Sequence, residues 1–183
     1  MERCRMVFSG SGGQGVITAA IILAEAAVLY DGLNAIQSQS YGAEARGGAT
    51  RSDIIISDTI IHYPKVIQPN VLVCLTQDAY NKFYSIIRPG GLLISDSRYV
   101  QTEKKVDAQQ KEIAMYDTVI DNIGKPIVFN ICMLGAVLAI TELIDPDSIM
   151  KALENRIPAD FLDMNRKALN LGIELGKSTE DRL

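Results

Sequence analysis

The chain has 183 residues, one histidine and a formal net charge of −4, which is enough length for one globular domain with a core of its own. The acidic balance excludes a general attraction to nucleic acid or anionic membrane, and the lone His62 leaves little for histidine-based catalysis or metal binding. A hydrophobic share of 48% marks a packed chain rather than a disordered one.

In chain order, "RCRMVFS" reads as a first strand with no signal-peptide pattern ahead of it. The turn "SGSGGQG" follows, and a helix is predicted from about Gly13 to Tyr30, ended by Asp31-Gly32. "LNAIQSQ" is a second strand, "SYGAEARGGA" a glycine-bearing loop, and "TRSDIIIS" a third strand, with a short strand expected at "IIHYP". "NVLVCLT" is apolar throughout, the pattern of a strand buried on both faces. Asp78 is the predicted N-cap of a helix over Ala79–Ile87, "RPGG" stops it, and "LLISD" is another buried strand. That β-α-β unit implies parallel strands. The polar stretch Ser97–Lys111 reads as irregular, with room for one short strand. Helices follow near Met115–Ile123, Ile127–Leu143, Pro146–Arg156 and Asp160–Lys177. The whole predicts one domain over 1–183: an α/β fold of three layers, with a largely parallel or mixed central sheet flanked by helices and a helical C-terminal third.

The apolar runs "VITAAIILAEAAVLY" and "IVFNICMLGAVLAI" contain Glu25 and Asn130 and are 15 and 14 residues long. A membrane span needs roughly 20 apolar residues, so both read as buried helices. Helices apolar on every side are either sandwiched between layers or covered by another subunit. Cys4, Cys74 and Cys132 are scattered, without CxxC, which signals neither zinc nor an iron–sulfur cluster. Such thiols suit a reducing, cytoplasmic setting.

Gly10-Ser11-Gly12-Gly13-Gln14-Gly15 satisfies GxGxxG. Glycines let a ligand approach the backbone, and the amides that open the next helix face an anion. A dinucleotide fingerprint also needs an acidic residue ending the second strand, and here that strand runs "IQSQSY". No Lys-Ser/Thr follows the last glycine, which excludes a Walker A loop. The same turn without any ligand is the simpler alternative. The second loop adds Tyr41, Gly42, Arg46 and Gly47: a hydroxyl, a planar guanidinium suited to phosphate, and room to bend. In a parallel sheet it lies at the same carboxyl edge as the first loop. Its bland reading is a surface Glu44–Arg46 ion pair. Asp96 and Ser97 end a strand at that edge and are common turn formers.

"GSGGQGVITAA", "SYGAEARGGATRSDIIIS" and "NICMLGAVLAI" together resemble the gamma subunit of 2-oxoacid:ferredoxin oxidoreductases. The resemblance implies a non-catalytic subunit of a complex that oxidatively decarboxylates a 2-oxoacid, forms an acyl-coenzyme A and reduces ferredoxin. It implies thiamine diphosphate between alpha and beta subunits, iron–sulfur clusters on a delta subunit, and coenzyme A binding and assembly as the role of this chain. Gly10, Ser11, Gly12, Gly13, Gln14 and Gly15 would form the anion-facing turn, with Ser11 and Gln14 as side-chain donors. Tyr41, Gly42, Arg46 and Gly47 would form a second wall, and Asn130 would face the same region or a partner. Ser11, Ala43 and Ala45 stand where relatives often carry phenylalanine and a proline-x-methionine, which inclines the reading toward 2-oxoglutarate. Isolated, the chain would be inactive and could pair with a second copy. The alternatives are a stand-alone Rossmann-type nucleotide-binding oxidoreductase and a purely structural subunit.

Overall fold

The computed structural model describes residues 3–39 and 48–180. The elements are β1 (Cys4–Gly10), α1 (Val16–Leu29), β2 (Asn34–Gln39), β3 (Thr50–Ser57), β4 (Val71–Cys74), α2 (Gln77–Phe83), β5 (Gly91–Asp96), β6 (Ala108–Ile113), α3 (Met115–Ile123), α4 (Phe129–Thr141), α5 (Pro146–Glu154) and α6 (Ala159–Glu180). Short 3₁₀ turns at Tyr84–Ile86 and Pro126–Val128 follow α2 and precede α4.

The strands form one six-stranded sheet in the order β2-β3-β1-β4-β5-β6. β1, β4, β5 and β6 run parallel, while β3 lies antiparallel between β2 and β1. The sheet is therefore mixed. The consecutive strands β1/β2, β4/β5 and β5/β6 run parallel and need crossovers, whereas β2 and β3 are antiparallel neighbours.

Alternation along the strands builds two cores. Met6, Phe8, Ile54, Ile56, Val73 and Ile94 face α1 and α4. Val7, Ile55, Leu72, Cys74 and Leu93 face α2, where Tyr80 and Phe83 cover them. Central strands buried on both faces read as continuous apolar runs, as in Val71–Cys74 and at Ile54, Ile55 and Ile56. The layers are unequal. One face carries α1, α3, α4, α5 and α6, and the other carries α2.

α4 is buried from Phe129 to Leu138, between the sheet side and α6. Its all-round apolar surface is thus explained within this chain. The α4–α6 contact is unusually close. A methyl group built at Gly172 would interpenetrate the Cys132 carbonyl oxygen and lie 2.8 Å from its carbon and 2.9 Å from the Ala136 nitrogen. α1 is buried over most of its length, but Val28, Leu29 and Tyr30 at its end are exposed.

Some predicted boundaries move. α1 starts at Val16, not Gly13, because Gly13 and Gly15 sit at φ 89° and 72°, outside the helical region. α2 is capped by Thr76, whose hydroxyl accepts the Ala79 N–H at 3.2 Å, so the expected cap at Asp78 lies inside the helix. "IIHYP" forms no strand. Val66 in the same connection gives its backbone groups to side chains instead of a ladder: Arg51 donates to its carbonyl at 2.7 Å, and its N–H donates to Asp53 at 3.3 Å. β6 is the short strand within the polar stretch, at the sheet edge.

Candidate functional site

The carboxyl ends of β1, β2, β4, β5 and β6 share one edge of the sheet. α1 leaves β1 over one face, and α2 leaves β4 over the other. The crevice between the ends of β1 and β4 is therefore a topological switch point, where open α/β sheets bind ligands.

The loop Ser11–Gly15 stands at this crevice. Ser11, Gly12 and Gly13 are exposed, and a side chain at Gly12 would meet open space. Gln14 braces the loop from inside. Its Oε1 accepts the Ser11 N–H at 2.8 Å, and its Nε2 donates to the Leu75 carbonyl at 3.4 Å. The Leu75 N–H donates to the Ser9 carbonyl at 2.9 Å, so β1 and β4 remain joined at the mouth of the crevice. Gln14, expected as a ligand donor, is engaged within the loop.

Gly15 is the N-cap of α1, in the left-handed region, where a Cβ would clash with its own backbone. No side chain caps α1, and its first turn has no acidic residue. The first-turn amides stand at the positive end of a 14-residue helix, and among the described residues no hydrogen bond from a capping side chain is seen at its start. Asn130, on the first turn of α4, is 6% exposed and donates from Nδ2 to the Gly15 carbonyl at 3.2 Å. It supports the loop from beneath.

Tyr41, Gly42, Arg46 and Gly47 lie outside the described residues. The residues that flank them are placed: Gln39 pairs with Ser52 and Thr50 with Gly10. Both ends of the second loop therefore attach to the edge that carries the first.

Asp96, at the end of β5, is fully buried and accepts the backbone N–H groups of Arg98 at 3.1 Å and Tyr116 at 2.8 Å. It caps α3 and closes the turn after β5. Burial raises its carboxyl pKa above the ordinary value, against the opposing effect of these hydrogen bonds. A raised carboxylate contributes stability that is complete below the unfolded value and is lost as pH rises through the folded one. Asp96→Asn should therefore gain in melting temperature relative to wild type as pH goes from about 4 to about 7. A gap that stays constant over that range would rule out a buried, hard-to-ionise Asp96.

Sequence reasoning missed the aromatic group held by Asp96. Tyr99 packs edge-on to Tyr116 at 5.0 Å, and Tyr116 packs edge-on to Phe129 at 5.4 Å. The Arg98 guanidinium lies 5.9 Å from the Tyr99 ring centre and 5.3 Å from that of Tyr116, and pairs with Asp117 at 2.5 Å. The available signal was two tyrosines and an arginine flanking a strand end and a helix start. A separate cleft of about 570 Å³ is lined by Ser38, Gln39, Arg51, Asp53 and Pro64–Ile67. Its arginine is held by Asp53 at 2.5 and 3.0 Å.

Burial pushes the Cys4 thiol up to about 11 and those of Cys74 and Cys132 up to about 12, which leaves all three protonated and inert near neutral pH. Among the described residues no His/Cys/Asp/Glu group could hold a metal ion, and no helix is long and apolar enough to cross a membrane.

The edge defines an α/β domain with helices on both faces of its sheet, an exposed glycine turn after β1, and a second strand that ends in Gln37-Ser38-Gln39. The chain belongs to the pyruvate ferredoxin/flavodoxin oxidoreductase family, which matches residues 5–175. It is similar to the 2-oxoglutarate synthase subunit KorC of Methanocaldococcus jannaschii, 44% identical over 92% of this chain and 91% of that one. The KorC subunit of Methanothermobacter marburgensis is 38% identical over 91% and 93%. The solved gamma subunit of a keto/oxoacid ferredoxin oxidoreductase from Geobacter sulfurreducens matches with a TM-score of 0.87 and 40% identity, over 96% of this chain and 99% of that one. The chain is thus a gamma-type subunit of a 2-oxoacid:ferredoxin oxidoreductase, a multi-subunit enzyme.

Proposed function

We propose that this subunit holds the phosphate-bearing end of coenzyme A against the Ser11–Gly15 turn, within a holoenzyme that acts on 2-oxoglutarate. The observation that carries the reading is the start of α1 at a left-handed Gly15, with no capping side chain among the described residues, behind an exposed glycine turn at the switch point. Oriented backbone amides and a helix dipole stabilise a phosphate there without any cationic side chain. Arg46 and Tyr41 of the second loop would add a charge and a hydroxyl. The substrate assignment rests on relatives. Those at 44% and 38% identity are named 2-oxoglutarate synthase subunits, while one named a pyruvate synthase subunit stands at 32%. The 2-oxoglutarate:ferredoxin oxidoreductase of Magnetococcus marinus, which shares the fold at 20% identity, was solved with 2-oxoglutarate, coenzyme A and succinyl-CoA.

On this reading alpha and beta subunits carry thiamine diphosphate, which supplies the decarboxylation chemistry, and a delta subunit carries the iron–sulfur clusters that pass electrons to ferredoxin. This chain breaks no bond. Its residues bind the nucleotide end of the thiol substrate and fix the direction in which the thiol extends. β2 ends without an acid, in Gln37-Ser38-Gln39, which weighs against a nicotinamide dinucleotide.

Gly12→Val tests the reading cleanly, because the new side chain enters open space on the ligand side of the loop. The isolated chain should melt as wild type does. In the reconstituted holoenzyme the KM for coenzyme A should rise about tenfold or more, a loss of ~1.4 kcal/mol or more. An unchanged KM would leave the turn a purely structural one.

A further inference from the structure

We propose that Tyr99, with the Arg98 guanidinium beside it, seats the purine ring of the thiol substrate whose phosphates meet the glycine turn. This rests on the reading that the turn holds those phosphates.

Tyr99 follows the end of β5, on the same edge of the sheet as the turn. β5 is two strands from β1, a separation of roughly 10 Å. That matches the step from a diphosphate, across a ribose, to its base. The two places are also linked through packed side chains. Asn130 touches Gly15, its neighbour Phe129 packs on Tyr116, and Tyr116 packs on Tyr99.

The group is already ordered. The buried Asp96 carboxylate holds the backbones of both Arg98 and Tyr116, and Asp117 fixes the guanidinium. A seat whose side chains are held in advance loses little entropy when it is filled. Tyr99 nevertheless remains 37% exposed, and Ile127, ahead of α4, is 77% exposed. A tyrosine ring flanked by a guanidinium favours a flat π system such as a purine, through stacking that does not depend on hydrogen-bond readout.

The test uses the reconstituted holoenzyme and two thiols: coenzyme A, and pantetheine, which lacks the phosphates and the adenosine. Tyr99→Leu keeps apolar bulk against Tyr116 but removes the flat ring. The preference for coenzyme A over pantetheine, measured as a ratio of kcat/KM, should fall roughly five- to tenfold. Tyr99→Phe should restore it. In the wild type, adenosine 3′,5′-bisphosphate should compete with coenzyme A. An unchanged ratio in Tyr99→Leu, equal losses for both thiols, or no competition by the bisphosphate overturns the assignment. Equal losses would mean that the ring meets a partner subunit. Gly12→Val separates the two levels. If it lowers the ratio and Tyr99→Leu does not, the turn keeps its role and the purine seat falls. If neither does, the coenzyme A reading falls with it.

Discussion

Gly172→Ala should destabilise the isolated chain by at least about 3 kcal/mol and lower its melting temperature by roughly 10 °C. The methyl would have to occupy space held by the Cys132 carbonyl, and both neighbours are backbone of α4, which cannot rotate aside. Gly135 faces the same seam from the other helix, with the Leu169 carbonyl against it and the Ile173 nitrogen 3.0 Å from a would-be Cβ. The two helices can separate only by breaking a core that includes Cys132, Ala136 and Leu169. Circular dichroism melts of Gly172→Ala and Gly12→Ala in parallel decide the point, since Gly12 meets open space. Equal melting temperatures for the two variants would show that the α4–α6 contact yields more easily than its geometry implies.

Gly15→Ala should act on stability and ligand binding together. At φ 72° the new side chain is strained by its own backbone, and its Cβ would fall 2.6 Å from Asn130 Nδ2. Roughly 1–3 kcal/mol of stability should be lost. The displaced loop should also raise the KM for coenzyme A in the holoenzyme by about tenfold or more. Asn130→Ala opens the space the methyl needs. The double variant should therefore recover part of the stability lost by Gly15→Ala, a coupling that a double-mutant cycle measures. Strict additivity of the two substitutions would mean that a side chain at position 15 does not press on Asn130.

The elements that sequence periodicity defines best are those with apolar faces. "TRSDIIIS" is β3 from its first residue to its last, and "NVLVCLT" contains β4, because buried strands leave no choice of face. The limits of the reading are physical. The direction of β3 is set by the register with β1 and β2, a long-range pairing that no local pattern encodes. β6 was nearly invisible because an edge strand can keep Gln109, Gln110 and Glu112 without cost to the core. The glycine turn was legible as a tight strand-to-helix loop. The internal use of Gln14 was not, since its partner Leu75 lies 61 positions away. Asn130 was recognised as the one polar residue in the first turns of an apolar helix, and the Gly15 carbonyl accounts for its presence. The tyrosines at 99 and 116 come together only through Asp96, whose role as a cap is a tertiary contact that resembles, in sequence, an ordinary turn former.

The close seam between α4 and α6 also bears on the order in which the molecule can be completed during synthesis. The sheet is complete once Ile113 has emerged, and α4 follows by Thr141. Its cover, α6, begins only at Ala159. Between those points the nascent chain presents an uncovered, largely apolar α4, the kind of surface that recruits chaperones or self-associates. The same dependence makes the segment 159–180 the one whose early loss would turn an otherwise finished α/β sheet into a sticky intermediate. Yield of soluble subunit should therefore fall sharply when synthesis stalls after α5, although every strand of the sheet is then already made.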